Sequence, residues 1–130
     1  MKPGNLKLYF LFFFLIFFTG KIFSSPIEGN KVSLKILDKI TSHIESIDLG
    51  MNKDYEFGTL QIKIYTCFKS PPEEVPENYV LLKILDNLII DDNNKNIYQG
   101  WMISSSPSAT PLEHAIYDVW VSDCKIDNDS

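Results

Sequence analysis

Arginine is missing from this chain altogether, and cysteine and histidine occur only twice each. All 12 basic residues are lysine, and with Ile and Asn abundant the composition carries the codon bias of an AT-rich genome and says nothing of mechanism. Cys67 and Cys124 lack the close C-x-x-C spacing that tunes a redox thiolate. Two distant cysteines and two histidines also fall short of a metal-ligand pattern, so neither metal nor cofactor is expected. No apolar run reaches the roughly 20 residues of a membrane-spanning helix. Nor does any segment show a convincing helical stripe or an internal repeat, which sets aside helical bundles and repeat arrays.

What the chain does carry begins at its amino terminus. Residues 1–7 bring lysines and no acid, and residues 8–18, "LYFLFFFLIFF", are unbroken apolar sequence. A positive flank before a run of about 7–15 apolar residues is the pattern of a secretory signal. Thr19, Gly20, Ser24 and Ser25 supply small residues before Pro26, so residues 1–25 are read as a signal peptide cut near Ser24 or Ser25. Lys21, Ile22 and Phe23 make an awkward cleavage region, and the alternative is an uncleaved anchor, the only route by which this chain would touch a membrane. No cysteine follows the run closely, which excludes a lipoprotein.

Losing residues 1–25 removes three lysines and no acid, so residues 26–130 set 12 − 3 = 9 lysines against 17 acids, a net charge of −8. An acidic domain is repelled by phosphate backbones and anionic lipid surfaces, so nucleic acid is not the partner. Residues 26–130 are one domain by length. In an exported chain the two cysteines predict one disulfide, Cys67–Cys124, worth about 4 kcal/mol on the chain-entropy model. The competing reading is two separate free thiols.

Period-two patterns run through the domain. Val32, Leu34 and Ile36 alternate, as do Ile47 and Leu49, and Leu60, Ile62 and Ile64 enclose Gln61 and Lys63. "YVLLKIL" from Tyr79, "NIYQGWMI" from Asn96 and "AIYDVWV" from Ala115 are rich in the branched and aromatic residues of half-buried strands. "TSH" at Thr41, "GMNKD" from Gly50 and "DDNNKN" from Asp91 read as turns, the last a hairpin connection. The expectation is an all-β domain, a small antiparallel sandwich or barrel of about six to seven strands with one disulfide.

The longest irregular pieces hold five of the seven prolines: "KSPPEEVPEN" from Lys69 and "SSSPSATPLEH" from Ser104. Five ordered blocks carry a resemblance: "LDKIT" at Leu37, "FGTLQIKIYTC" at Phe57, "PPEEVPEN" at Pro71, "GWMISSSPS" at Gly100 and "LEHAIYDVWVSDC" at Leu112. Together they resemble the alphaproteobacterial family called domain of unknown function 2155. The resemblance implies a small exported all-β domain with its two cysteines in these blocks, in the periplasm or cell envelope of a Gram-negative bacterium. It implies no established reaction, although some members carry a cellulase-like label. Ala115 stands where members often place proline after the histidine, and "TSH" where they tend to have a Thr-Gly turn; both departures bear on turn geometry.

A glycosidase would need two carboxylates held across a cleft, at about 5–5.5 Å or 6.5–9.5 Å according to mechanism. Glu73, Glu74 and Glu77, or Glu113 and Asp118, are the candidates, with Trp101 or Trp120 as a sugar platform. The prolines around the first group favour a solvated loop instead. His114 beside Glu113 could serve a nucleophile among Ser104, Ser105 and Ser106, yet a triad needs a positioned third carboxylate and oxyanion donors. His43, His114, Glu113 and Asp118 match no recognised metal spacing. The plainer reading is that His114 ties its loop to backbone and that Asp118 lies on the solvent face of the last strand or caps a turn, leaving Glu113 and His114 dispensable for folding.

No catalytic set is therefore expected; Glu113, His114 and Asp118 are the residues of the alternative, a small hydrolase acting on envelope glycans or peptides. The favoured reading is a non-catalytic protein-interaction or structural module with an unidentified envelope protein as partner. Loops on a rigid sheet are where recognition tends to sit. A Cys67–Cys124 bond would bring the two proline loops together, making Pro71, Pro72, Trp101, Pro107 and Pro111 one apolar patch rimmed by Glu73, Glu74 and Glu113. Trp120, central in an alternating strand, is expected in the core.

Overall fold

Alternating sequence becomes strand wherever one face can be buried. The computed structural model describes residues 4–17, 20, 24–93 and 95–127. It contains β1 (Ile27–Gly29), β2 (Lys31–Asp38), β3 (His43–Gly50), β4 (Asp54–Phe57), β5 (Leu60–Lys69), β6 (Asn78–Asp86), β7 (Asn96–Ile103) and β8 (Tyr117–Lys125), with a 3-10 turn at Pro107–Ala109 and an amino-terminal helix α1 (Gly4–Phe17). Eight strands stand among the described residues where six to seven were expected. The additions, β1 and β4, span three and four residues, too short to show a period. Every pairing is antiparallel. One sheet runs β1-β5-β6-β7 with β4 also on β5, and the other runs β3-β2-β8. Neither closes on itself, so the domain is a sandwich and not a barrel.

The core lies between the sheets. Val32, Leu34 and Ile36 of β2 and Val119 and Val121 of β8 face Leu60, Ile62 and Ile64 of β5 and Val80, Leu82 and Ile84 of β6, and all are buried. Each such side chain contributes about 1.5–3 kcal/mol through burial. Leu112 enters the core from the loop before β8.

Three ladders slip by one residue, passing over Tyr65 in β5, Ile97 in β7 and Ser122 in β8. A bulge of this kind reverses which face the following residues occupy. Ile64 and Cys67, three apart, therefore both point inward, and so do Val121 and Cys124. The two cysteines form the expected disulfide across the sheets, with Cα atoms 5.9 Å apart. Gly29 lies against it, and a Cβ built there would sit 2.4 Å from Cys124 Sγ and 2.8 Å from Cys67 Sγ.

The first two turns fall where expected, and Asn94 of the third lies outside the described residues. Asp38 Oδ1 accepts the Ile40 and Thr41 N–H groups between β2 and β3, and Ser42 takes a positive φ of 56°. Residues 51–53 turn into β4, which Gly58, at φ 57°, returns to β5. Residues 8–17 of the apolar run read as a signal core lie in α1, and Phe18 lies outside the described residues; the large hydrophobic residues of α1 from Leu6 to Ile16 are 61–78% exposed and take no part in the core. No helix among the described residues is long and apolar enough to cross a membrane. Thr19, Lys21, Ile22 and Phe23 of the expected cleavage region lie outside the described residues.

Candidate functional site

The two proline loops meet at their roots, and a carboxylate joins them. Glu77 Oε1 accepts the Ser105 N–H at 3.0 Å, the Ser104 hydroxyl at 2.8 Å and the Asn78 N–H at 3.1 Å. Its Oε2 takes the Ser105 hydroxyl. Burial alone would push this carboxyl up, but the Ser105 and Ser104 bonds outweigh it and hold Glu77 below its ordinary value. Such a group is an ionised staple, unsuited to donate a proton as a general acid. Asn78, itself buried, donates to Ser104 Oγ at 3.2 Å and accepts the Cys124 N–H at 3.2 Å, tying this junction to β8 beside the disulfide.

A second junction closes the far end of the loop before β8. His114 Nδ1 accepts the N–H groups of Ile116 at 3.2 Å and Tyr117 at 3.0 Å. That nitrogen must carry the lone pair, so the proton sits on Nε2, which donates to Asp86 Oδ2 at 3.2 Å. The His114 and Asp86 side chains are only 8% and 9% exposed. Burial raises the Asp86 carboxyl, and the Leu88 N–H together with His114 more than offsets it, leaving Asp86 below its ordinary value. The imidazole stacks on Tyr117, with centroids 5.5 Å apart. Tyr117 in turn lies so close to Gly58 that a Cβ there would be 2.2 Å from its hydroxyl.

With both ring nitrogens engaged, His114 has no basic atom to offer a serine nucleophile. Ser104 and Ser105 are bonded to Glu77. Asp118 forms an ion pair with Lys39 at 3.0 Å, and the same ammonium donates to the His114 carbonyl. Glu113 is exposed, as are Glu73 and Glu74. The loop role expected for His114 is what the geometry gives it, and its buried bond to Asp86 changes the expectation for folding: losing this side chain should be costly.

The five residues expected to form one apolar patch are divided. Pro71 is buried and Pro72 exposed. Pro107 and Pro111 line a hollow of about 250 Å³ with Ser108, Leu112, Asp118 and Trp120. Trp120 is half-buried on the outer face of β8, opposite Lys35 and between the inward Val119 and Val121, so it is not the core residue expected. Trp101 stands elsewhere, 43% exposed on the outer face of the five-stranded sheet. There it lines a hollow of about 340 Å³ with Pro26, Phe68 and Tyr79. Phe68 and Tyr79 are direct cross-strand partners, and the Phe68 and Trp101 centroids lie 6.1 Å apart. The sequence signal for this cluster was its phase: Tyr79 occupies an outward position between the buried Asn78 and Val80, and Trp101 one next to the buried Met102.

An uncharacterised protein of Rickettsia prowazekii (strain Madrid E) is 38% identical over 88 residues, covering 68% of this chain and 56% of its own length. The chain thus matches little more than half of that relative. No solved structure matches. The family described as uncharacterised proteins conserved in bacteria, DUF2155, matches residues 32–124, which hold all of the sandwich except β1, the start of β2 and the last residue of β8. The chain belongs to that family.

Proposed function

We propose that this is an exported domain of the bacterial envelope or periplasm that acts as a non-catalytic interaction or structural module, with its working surface on the outer face of the five-stranded sheet. The observation that carries the reading is a contrast in how side chains are used. Glu77, Asp86 and His114, residues of catalytic type, are spent on holding loops together. Trp101 and Tyr79 are large aromatics left 43% and 36% exposed on a rigid sheet. Clustered exposed aromatics beside a polar rim are the composition of a recognition surface. Export is supported by the lysine-flanked apolar run and by the disulfide, a bond that persists in oxidising compartments.

Crosslinking in intact cells followed by pull-down tests the function. Wild type is expected to retain an envelope protein that Trp101→Ala loses, while Glu113→Gln retains it. Turnover of peptidoglycan fragments or peptides by wild type that Glu113→Gln abolishes would replace this reading with a hydrolase. Intact mass of the envelope material tests export: the mature form is expected to begin between Gly20 and Glu28, and full-length chain in the membrane fraction would mean an anchor instead.

A further inference from the structure

The aromatic hollow does not stand alone. Tyr79 is also a wall of a second depression, of about 520 Å³, that it shares with Ser70, Glu73, Glu74, Val75 and Glu77. A ligand lying across Tyr79 would therefore meet an apolar surface of Pro26, Phe68 and Trp101 on one side and carboxylates on the other. Lys69, next to Phe68 in sequence, is paired with Asp123 at 3.0 Å. Glu73 and Glu74 are exposed, and the hydrogen bonds from Ser104 and Ser105 keep Glu77 ionised.

Charge decides among occupants. A second copy would bring the same acidic rim against itself, and nucleic acid or an anionic bilayer would be repelled by a domain this acidic. A neutral glycan would use the rings and leave the carboxylates without a counter-charge. A polypeptide carrying apolar side chains beside cationic ones satisfies both halves, with a cation also attracted to the face of Tyr79.

We propose that this double depression docks a partner segment in which apolar or aromatic side chains adjoin lysine or arginine. The inference rests on the interaction-module reading and names the chemistry of the partner.

The test is calorimetric titration of the protein, purified in its native form, with a synthetic peptide alternating lysine with leucine and phenylalanine, against a control with glutamate in place of lysine. The lysine peptide is expected to bind and the glutamate peptide not. Affinity should fall about tenfold or more in Trp101→Ala and in the double variant Glu73→Gln/Glu74→Gln, and should weaken as salt is raised. The glutamine substitutions lie on an exposed loop and the melting temperature checks that each variant folds. Equal binding of both peptides, no binding of the lysine peptide, or unchanged affinity in either variant overturns the proposal. So does Trp101-dependent self-association or retention on insoluble peptidoglycan, which would name a second copy or a glycan as occupant. If the peptide fails while Trp101→Ala still loses its crosslinked envelope partner, the module reading survives and only the partner's chemistry is wrong; if that partner is also unchanged, both fall.

Discussion

Cys67 on β5 and Cys124 on β8 each stand one residue out of phase with the alternation of their own strand, and they meet because a bulge corrects each offset. Leu60, Ile62 and Ile64 point inward at even positions and Cys67 at an odd one. Val119 and Val121 point inward at odd positions and Cys124 at an even one. Tyr65 and Ser122 are the residues that the ladders pass over.

Deleting Ser122 tests this geometry. The extra residue disappears, Cys124 follows Val121 by two, and the ladder with β2 becomes regular. The disulfide is expected to form still, which alkylation without reductant would show by labelling neither cysteine. Free thiols in the deletion variant would mean that the bulge is needed to bring Cys124 to Cys67.

Gly29→Ala is expected to destabilise the domain by about 1–3 kcal/mol, the usual cost of forcing an extra carbon into a packed site, because the new Cβ has no room between the two sulfurs. Cys67→Ser should cost about 2–5 kcal/mol. The two effects are coupled through shared atoms, so Gly29→Ala should cost less when both cysteines are already alanine. Denaturant melts of the four combinations measure the coupling, and strict additivity would refute the contact.

His114→Ala should cost about 3 kcal/mol, because it leaves the Asp86 carboxylate buried without its partner and two backbone N–H groups without an acceptor. Glu113→Gln, at an exposed position, should stay within about 0.5 kcal/mol of wild type. Thermal denaturation of both variants distinguishes them, and equal melting temperatures would show that the Asp86 bond contributes nothing.

Acid should unfold the domain through Glu77 and Asp86. Both are held below their ordinary values of 4.5 and 3.8 in the folded state. A carboxyl lowered on folding contributes stability that is complete above its unfolded value and is lost as pH falls through the folded one. Melting temperature should therefore hold steady, as far as these two groups go, from neutral down to the ordinary carboxylate range and drop below it. In Glu77→Gln the drop should be shallower, and an unchanged slope would remove Glu77 from the account.

Trp120→Ala should be milder than a core truncation. The side chain is half-buried beside Pro107 and Pro111, so its removal opens a surface hollow and not a sealed cavity. A loss below the roughly 3–5 kcal/mol of a buried tryptophan is expected in a urea melt; a loss in that range would return Trp120 to the core.

Local pattern was enough to show that this chain makes strands and turns, that its amino terminus is apolar and separate, and that two cysteines close one bond. Those features depend on a period of two, on residues that tolerate tight turns, and on a count. The sequence could not show phase beyond a bulge, because a bulge exists only in the pairing of two strands: Ile64 and Cys67 look out of step until β6 is laid beside them. For the same reason two strands of three or four residues escaped notice until β5 offered them an edge. The proline loops were legible as loops and as neighbours, yet which tryptophan accompanies which proline depends on which sheet face each strand presents. Trp101 went to Phe68 and Tyr79 on one sheet and Trp120 to Pro107 and Pro111 on the other. His114 was legible as a loop residue, while its partner Asp86, 28 positions earlier, was brought to it only by the packing of the sandwich.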